Sequence, residues 1–168
     1  MSNKKFVVIP LIIGVLALLI QILDQLVSPL MPPSPNFGFS WIAFQAWAVY
    51  FLAGCNVKGG IKALIGYAVG ITASILIMNM GVWFAPLKFF SLPLAVGIVA
   101  FLLIFFEKTT WLNLIPSMFI GAGAYFAFMS YIPGATFTNA ALTEMVYCVI
   151  GLIFGFITIT LRTAYEKK

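Results

Sequence analysis

The sequence predicts an all-α polytopic membrane bundle, and three observations predict it. Hydrophobic residues make up 63% of the 168 and charged residues only 8%, against about a quarter charged in an ordinary soluble domain. The apolar residues gather into six runs. The basic residues collect on alternate connections between those runs. A chain of this size cannot bury so much apolar surface in its own core, so the excess must face something other than water, and lipid is the simplest candidate.

The six runs, divided at charges and prolines, are Phe6–Val27, Phe37–Cys55, Ile61–Val82, Leu92–Phe106, Leu112–Tyr131 and Ala140–Leu161. They form one transmembrane domain over residues 1–168. A bilayer core of ~30 Å needs roughly 20 helical residues. Leu92–Phe106 falls short of that unless it begins nearer Pro86. The first run follows Lys4 and Lys5 as a signal peptide would, but it is too long for an h-region and no small-residue cleavage site follows it. It is therefore expected to be an uncleaved span.

With the N-terminus inside, the inner connections and termini carry Lys4, Lys5, Lys58, Lys62, Lys108, Arg162, Lys167 and Lys168, and the outer side carries Lys88 alone. This bias is the positive-inside rule, and it predicts that both termini are cytoplasmic. The net charge of +5 is too thinly spread to make a nucleic-acid surface. The outer connection Ser28–Phe39 holds Pro29, Pro32, Pro33 and Pro35 and is expected to run extended. Met80–Ser91, with Trp83 and Phe84 before Pro86, is expected along the interface. Asn56–Gly60 reads as a tight inner turn. Trp41, Trp83 and Trp111 fall near span ends, where indoles favour the headgroup region.

Six spans divide as three plus three, which would orient the halves oppositely, a common plan in transporters. One sequence echo is consistent with it, Ala46–Gly54 (AWAVYFLAG) against Gly121–Met129 (GAGAYFAFM). Such aromatic and small strings also recur by chance in membrane helices.

Ionisable residues inside spans are costly and mark interior or water-facing positions. Asp24 and Glu144 both lie about one turn inside the outer ends of their helices. On the first helix, Gly14, Ala17, Gln21, Asp24 and Gln25 share a face at 100° per residue. On the sixth, Glu144, Tyr147, Cys148, Gly151, Gly155, Thr158 and Arg162 form one stripe. Two readings stand side by side. Either the two carboxyls snorkel to the outer headgroups or pair with Lys88, or they form an outer vestibule with Gln21, Gln25, Gln45 and Tyr147 that takes a small polar or cationic solute.

Small residues form a second pattern: Gly66 and Gly70 on the third helix, Gly121 on the fifth, Gly151 and Gly155 on the sixth. They serve either close helix packing or the lining of a narrow pore. Pro116 is expected to kink the inner end of the fifth helix. Gln45 should find a partner across a helix interface, or touch solute. The two cysteines, Cys55 and Cys148, read as small buried hydrophobes. Without histidine there is no basis for a metal site, and no cofactor, phosphate-loop or nucleophile motif is present, so no enzyme is expected.

Trp41–Ala63 (WIAFQAWAVYFLAGCNVKGGIKA), Ile115–Phe126 (IPSMFIGAGAYF) and Ile150–Gly155 (IGLIFG) resemble the YcdZ-like family of small bacterial inner-membrane proteins. The resemblance implies a multi-pass protein of the bacterial cytoplasmic membrane. The family has no assigned function, so it carries over no functional residue, and the first helix lies outside it. The sequence reading is thus a channel or facilitator for a small polar or cationic solute, in the bilayer and as a homo-oligomer. The competing reading is a non-transporting membrane subunit whose small faces dock a partner protein.

Overall fold

The computed structural model describes residues 6–33 and 38–167. Lys4, Lys5, Pro35, Phe37 and Lys168 lie outside the described residues. Within them the chain is all-helical: α1 Val8–Val27, α2 Ser40–Leu52, α3 Val57–Trp83, α4 Ser91–Ile104, α5 Ile115–Tyr131 and α6 Phe137–Glu166.

The expected boundaries shift for local reasons. Asn56 caps α3 by accepting from the Gly59 amide at 2.9 Å, so the helix begins at Val57 and takes in Gly59 and Gly60. The turn moves to Gly54 and Cys55, both with positive φ. Thr136 and Asn139 cap α6 reciprocally, which starts it at Phe137 rather than Ala140. Pro116 lies in the first turn of α5, where a missing N–H leaves nothing unpaired, so it starts the helix and does not kink it. Ser28–Leu30, expected extended, is a 3-10 turn. Short 3-10 segments also flank α4, so that Ala85–Lys108 forms one apolar stretch of 24 residues.

The six-span expectation holds in part at this level. Among the described residues four stretches are long and apolar enough to cross a membrane: Val8–Leu30, Val57–Trp83, Ala85–Lys108 and Phe137–Glu166. The helix α2, with 13 residues, extends only about 20 Å, and α5, with 17, about 26 Å. Both give up length to irregular ends, where Gly54 and Cys55 terminate one and Leu114 begins the other outside helical geometry.

The helices alternate in direction. At one end, called here the proline end, the Phe39 amide meets Asp24, Thr143 meets Pro32 and Tyr125 meets Phe137. At the opposite, lysine end, Ile9, Phe51, Cys55 and Arg162 line one cavity of about 270 Å³. There Lys58 and Lys62 reach Trp111 and Asn113.

The bundle is built on two close helix pairs, α2 with α6 and α3 with α5. Glycines make both approaches. A methyl at Gly151 would overlap Ala43, and one at Gly155 would lie 2.5 Å from the Tyr50 Cβ. One at Gly66 would overlap Ser117, one at Gly70 would overlap Met118, and one at Gly121 would lie 2.9 Å from the Tyr67 Cα. Without water to drive association, such close backbone packing holds membrane helices together. The Trp47 indole adds a buried bond, donating to Thr158 Oγ1 at 3.0 Å. Replacing Trp47 with Phe should lower stability by about 1 kcal/mol, read as a small fall in detergent melting temperature.

The helices fall into two halves with one interaction pattern. Exchanging α1–α3 with α4–α6 maps the α2–α6 interface onto α5–α3, α1–α6 onto α4–α3, α1–α2 onto α4–α5, and α2–α3 onto α5–α6. The α3–α6 and α2–α5 interfaces map onto themselves. Each half ends in its longest helix, of 27 and 30 residues, preceded by one of 13 or 17. The echo between Ala46–Gly54 and Gly121–Met129 falls on the equivalent helices α2 and α5, and it aligns the buried Tyr50 with the buried Tyr125.

Candidate functional site

At the proline end the expected polar residues separate into two groups. Asp24 is buried, and its Oδ1 accepts from the Tyr147 hydroxyl at 2.6 Å and from the Phe39 amide at 2.9 Å. Ser28 lies buried beside the Tyr147 hydroxyl. Phe39 is fully buried, stacks on Phe128 at 5.3 Å and meets Tyr147 edge-on at 5.7 Å. The connection reaches this place through Gly38, whose φ is +71° and whose missing Cβ would stand 3.1 Å from Asp24 Oδ2. A left-handed backbone this close to a carboxyl favours glycine. Thr143, one residue before Glu144, donates to the Pro32 carbonyl at 2.9 Å. The start of α6 therefore grips both ends of the α1–α2 connection.

Gln21, Gln25 and Gln45 are exposed on the outside of the bundle. The buried face of α1 is Ile9, Leu16, Ile20 and Asp24, one step round from the expected stripe, and Gly14 faces open space. Three polar residues within five positions pulled the sequence reading toward the wrong face, because only Asp24 has partners inside.

The stripe on α6 is buried from Glu144 through Tyr147, Cys148, Gly151 and Gly155 to Thr158, while Arg162 is exposed and paired with Glu166 at 2.8 Å. Glu144 neither snorkels nor meets Lys88. It is 0% exposed, and neither carboxyl oxygen has a hydrogen-bond partner among the described residues. The Tyr67 hydroxyl on α3, also fully buried, is likewise unpartnered among the described residues. Tyr67, Tyr125 and Cys148 all lie within electrostatic reach of Glu144. Tyr125 donates its hydroxyl to the Phe137 carbonyl at 2.9 Å. Glu144 thus lies on a helix that packs against α3 of the other half, within electrostatic reach of its tyrosine. The sequence reading missed Tyr67, Tyr125, Thr143 and Phe39. Phenol groups deep in apolar helices were the available signal, since a buried Tyr hydroxyl normally needs a partner.

The lysine end repeats the arrangement with different residues. Setting Gly66 on Gly151 and Gly70 on Gly155 also sets Lys58 on Thr143 and Lys62 on Tyr147. Lys58 and Lys62 grip the α4–α5 connection as Thr143 and Tyr147 grip the end of α1 and its connection. The Lys58 ammonium sits 5.9 Å over the Trp111 ring, and Lys62 donates to Asn113 Oδ1 at 2.9 Å. Both ends of the bundle are tied, through buried bonds at the proline end and exposed ones at the lysine end.

Fold and site together define a membrane-protein-like helical bundle with a closed polar centre. Residues 10–162 match the family described as protein of unknown function (DUF1097), and the chain belongs to that family. No curated protein and no solved structure matches it.

Proposed function

We propose that the chain transports a small polar or cationic solute across the bacterial cytoplasmic membrane, as a six-crossing carrier with both termini cytoplasmic, and that it is not an enzyme. The observation that carries this reading is the exchange pattern of the two three-helix halves. Three crossings per half would orient the halves oppositely, as in transporters that alternate access around a site between repeats. The matched ties at the proline and lysine ends are then the two gates, both shut in this structure. The short helices α2 and α5 would complete their crossings through irregular ends sheltered by the long helices, the setting in which such backbone is tolerated at membrane depth. A positive lysine end fits a cytoplasmic side, and the resemblance to YcdZ-like proteins supports the location.

A carrier suits the site better than an open channel, since Gly66, Gly70, Gly121, Gly151 and Gly155 are filled by helices of the same chain. That occupation also weakens the partner-docking alternative, whose small faces are already in use. The outward Gln21, Gln25 and Gln45 support association of copies, because amide side chains in lipid seek hydrogen bonds across helices.

The test is flux into liposomes carrying the folded protein, screened with small amines, amides and monovalent cations. Saturable uptake of at least one class is expected. Absence of flux for every class, from protein with an intact melting transition, would overturn the proposal.

A further inference from the structure

We infer that Glu144, together with the Tyr67 hydroxyl across the α3–α6 interface, is an occluded site for one positive charge, delivered as a proton or as a small monovalent cation. Burial, pairing and position lead to it.

Glu144 is fully buried, with both oxygens unpartnered among the described residues. A buried carboxyl is normally hydrogen-bonded, ion-paired or neutralised, and an orphan polar group in a native interior requires a cause. Among the described residues nothing neutralises it. Tyr67 on α3, Tyr125 on α5 and Cys148 on its own helix lie within electrostatic reach of it. Asp24, on α1, is occupied by Tyr147 and Phe39. The described cations are engaged elsewhere or exposed at the surface: Arg162 with Glu166, Lys62 with Asn113, Lys58 over Trp111, and Lys88, Lys108 and Lys167 exposed.

The second unpartnered group, the Tyr67 hydroxyl, is also fully buried. A phenol can donate to a carboxyl, and its oxygen can accept from or coordinate a cation. Two buried orphans of compatible chemistry lie within electrostatic reach of each other on helices of different halves. Their place also counts, because the residues flanking Glu144 are those that tie the proline end shut, Thr143 to Pro32 and Tyr147 to Asp24. Releasing these ties would open the carboxyl to water from that side. Charge would enter there, rest on the carboxyl and leave when the lysine-end ties open. That direction of passage rests on the transport reading, whereas the binding site itself does not.

The experiment labels purified, folded protein in nanodiscs with dicyclohexylcarbodiimide, which reacts with protonated carboxyls in apolar surroundings, and locates the adduct by peptide mass. Glu144 should be modified in acid. Once it ionises, labelling should slow about tenfold per pH unit, as the protonated fraction of a single site does. If pH alone controls the rate, the charge is a proton. If sodium, potassium or methylammonium protects Glu144 at fixed pH, it is that cation, and Tyr67→Phe should weaken the protection. Glu144→Gln should abolish the adduct and make the melting temperature independent of the same ligands. Should that variant fail to fold, the wild-type labelling still decides. Glu144 modification indifferent to pH and to every cation, or no modification at any pH, overturns the inference. Protection without liposome flux would retain the site and remove the transport reading, and flux insensitive to Glu144→Gln would do the reverse.

Discussion

Replacing Gly151 with leucine is expected to destabilise the bundle by about 3 kcal/mol or more. The position offers no room, since its missing Cβ would overlap the Ala43 carbonyl oxygen and lie 2.7 Å from the Ala46 Cβ. A backbone carbonyl cannot swing aside as a side chain can, so α2 and α6 must separate along their whole contact. The nearby Trp47–Thr158 bond at 3.0 Å would be lost with it. Leucine at Gly14 or Gly97 provides the control, because a Cβ at either meets nothing within 4 Å. Those variants should stay within about 1 kcal/mol of the parent, on the stabilising side, since glycine is a poor helix former. Equilibrium unfolding in mixed detergent would compare all three. Equal losses at Gly151 and Gly14 would contradict the packing assigned to α2 and α6.

The second large effect is expected from Asp24→Ala. It removes the acceptor of the Tyr147 hydroxyl and of the Phe39 amide at once. Each buried donor left unpaired costs about 1–3 kcal/mol, so a loss of about 2–6 kcal/mol should follow. Asp24→Asn keeps an acceptor oxygen in place and should recover more than half of it. The proline-end tie should loosen in parallel, so a cysteine at Ser28, 1% exposed in the parent, should react faster with a soluble maleimide in Asp24→Ala than in Asp24→Asn. Equal reactivity in the two would mean that Asp24 does not hold the connection.

Much of the bundle was legible in the sequence because lipid imposes a simple rule. Long apolar runs must be helices whose backbone bonds close on themselves, and the runs of α1, α3 and α6 could be read directly. The short helices were overestimated because apolar composition continues past the point where the backbone stops being helical, as at Gly54 and Cys55 beside α2. The site was half legible. Polar residues inside spans picked out Asp24, Glu144 and Tyr147, and the glycine pairs marked the close crossings. Which neighbouring polar residues join them depends on helix rotation, and a few tens of degrees moved Gln21 and Gln25 from the interior to the outside. Partners brought by a connection, such as Phe39 on Asp24 and Pro32 on Thr143, are set by how the chain returns between helices, and no periodicity encodes that. The pairing of halves was hidden for a related reason. The two ends use different chemistry, Thr143 and Tyr147 at one and Lys58 and Lys62 at the other, so the equivalence shows in contacts and hardly in residue types.

The most direct measurement of the central claim, two halves of opposite orientation in a membrane, is sided labelling of those two connections. Single cysteines would be placed at Leu30 and at Thr110, both exposed, with Cys55 and Cys148 replaced by alanine, and sealed vesicles treated with an impermeant maleimide from one side at a time. The account predicts that Leu30→Cys reacts only from the outer face and Thr110→Cys only from the cytoplasmic face. Reaction of both from the same face would contradict it.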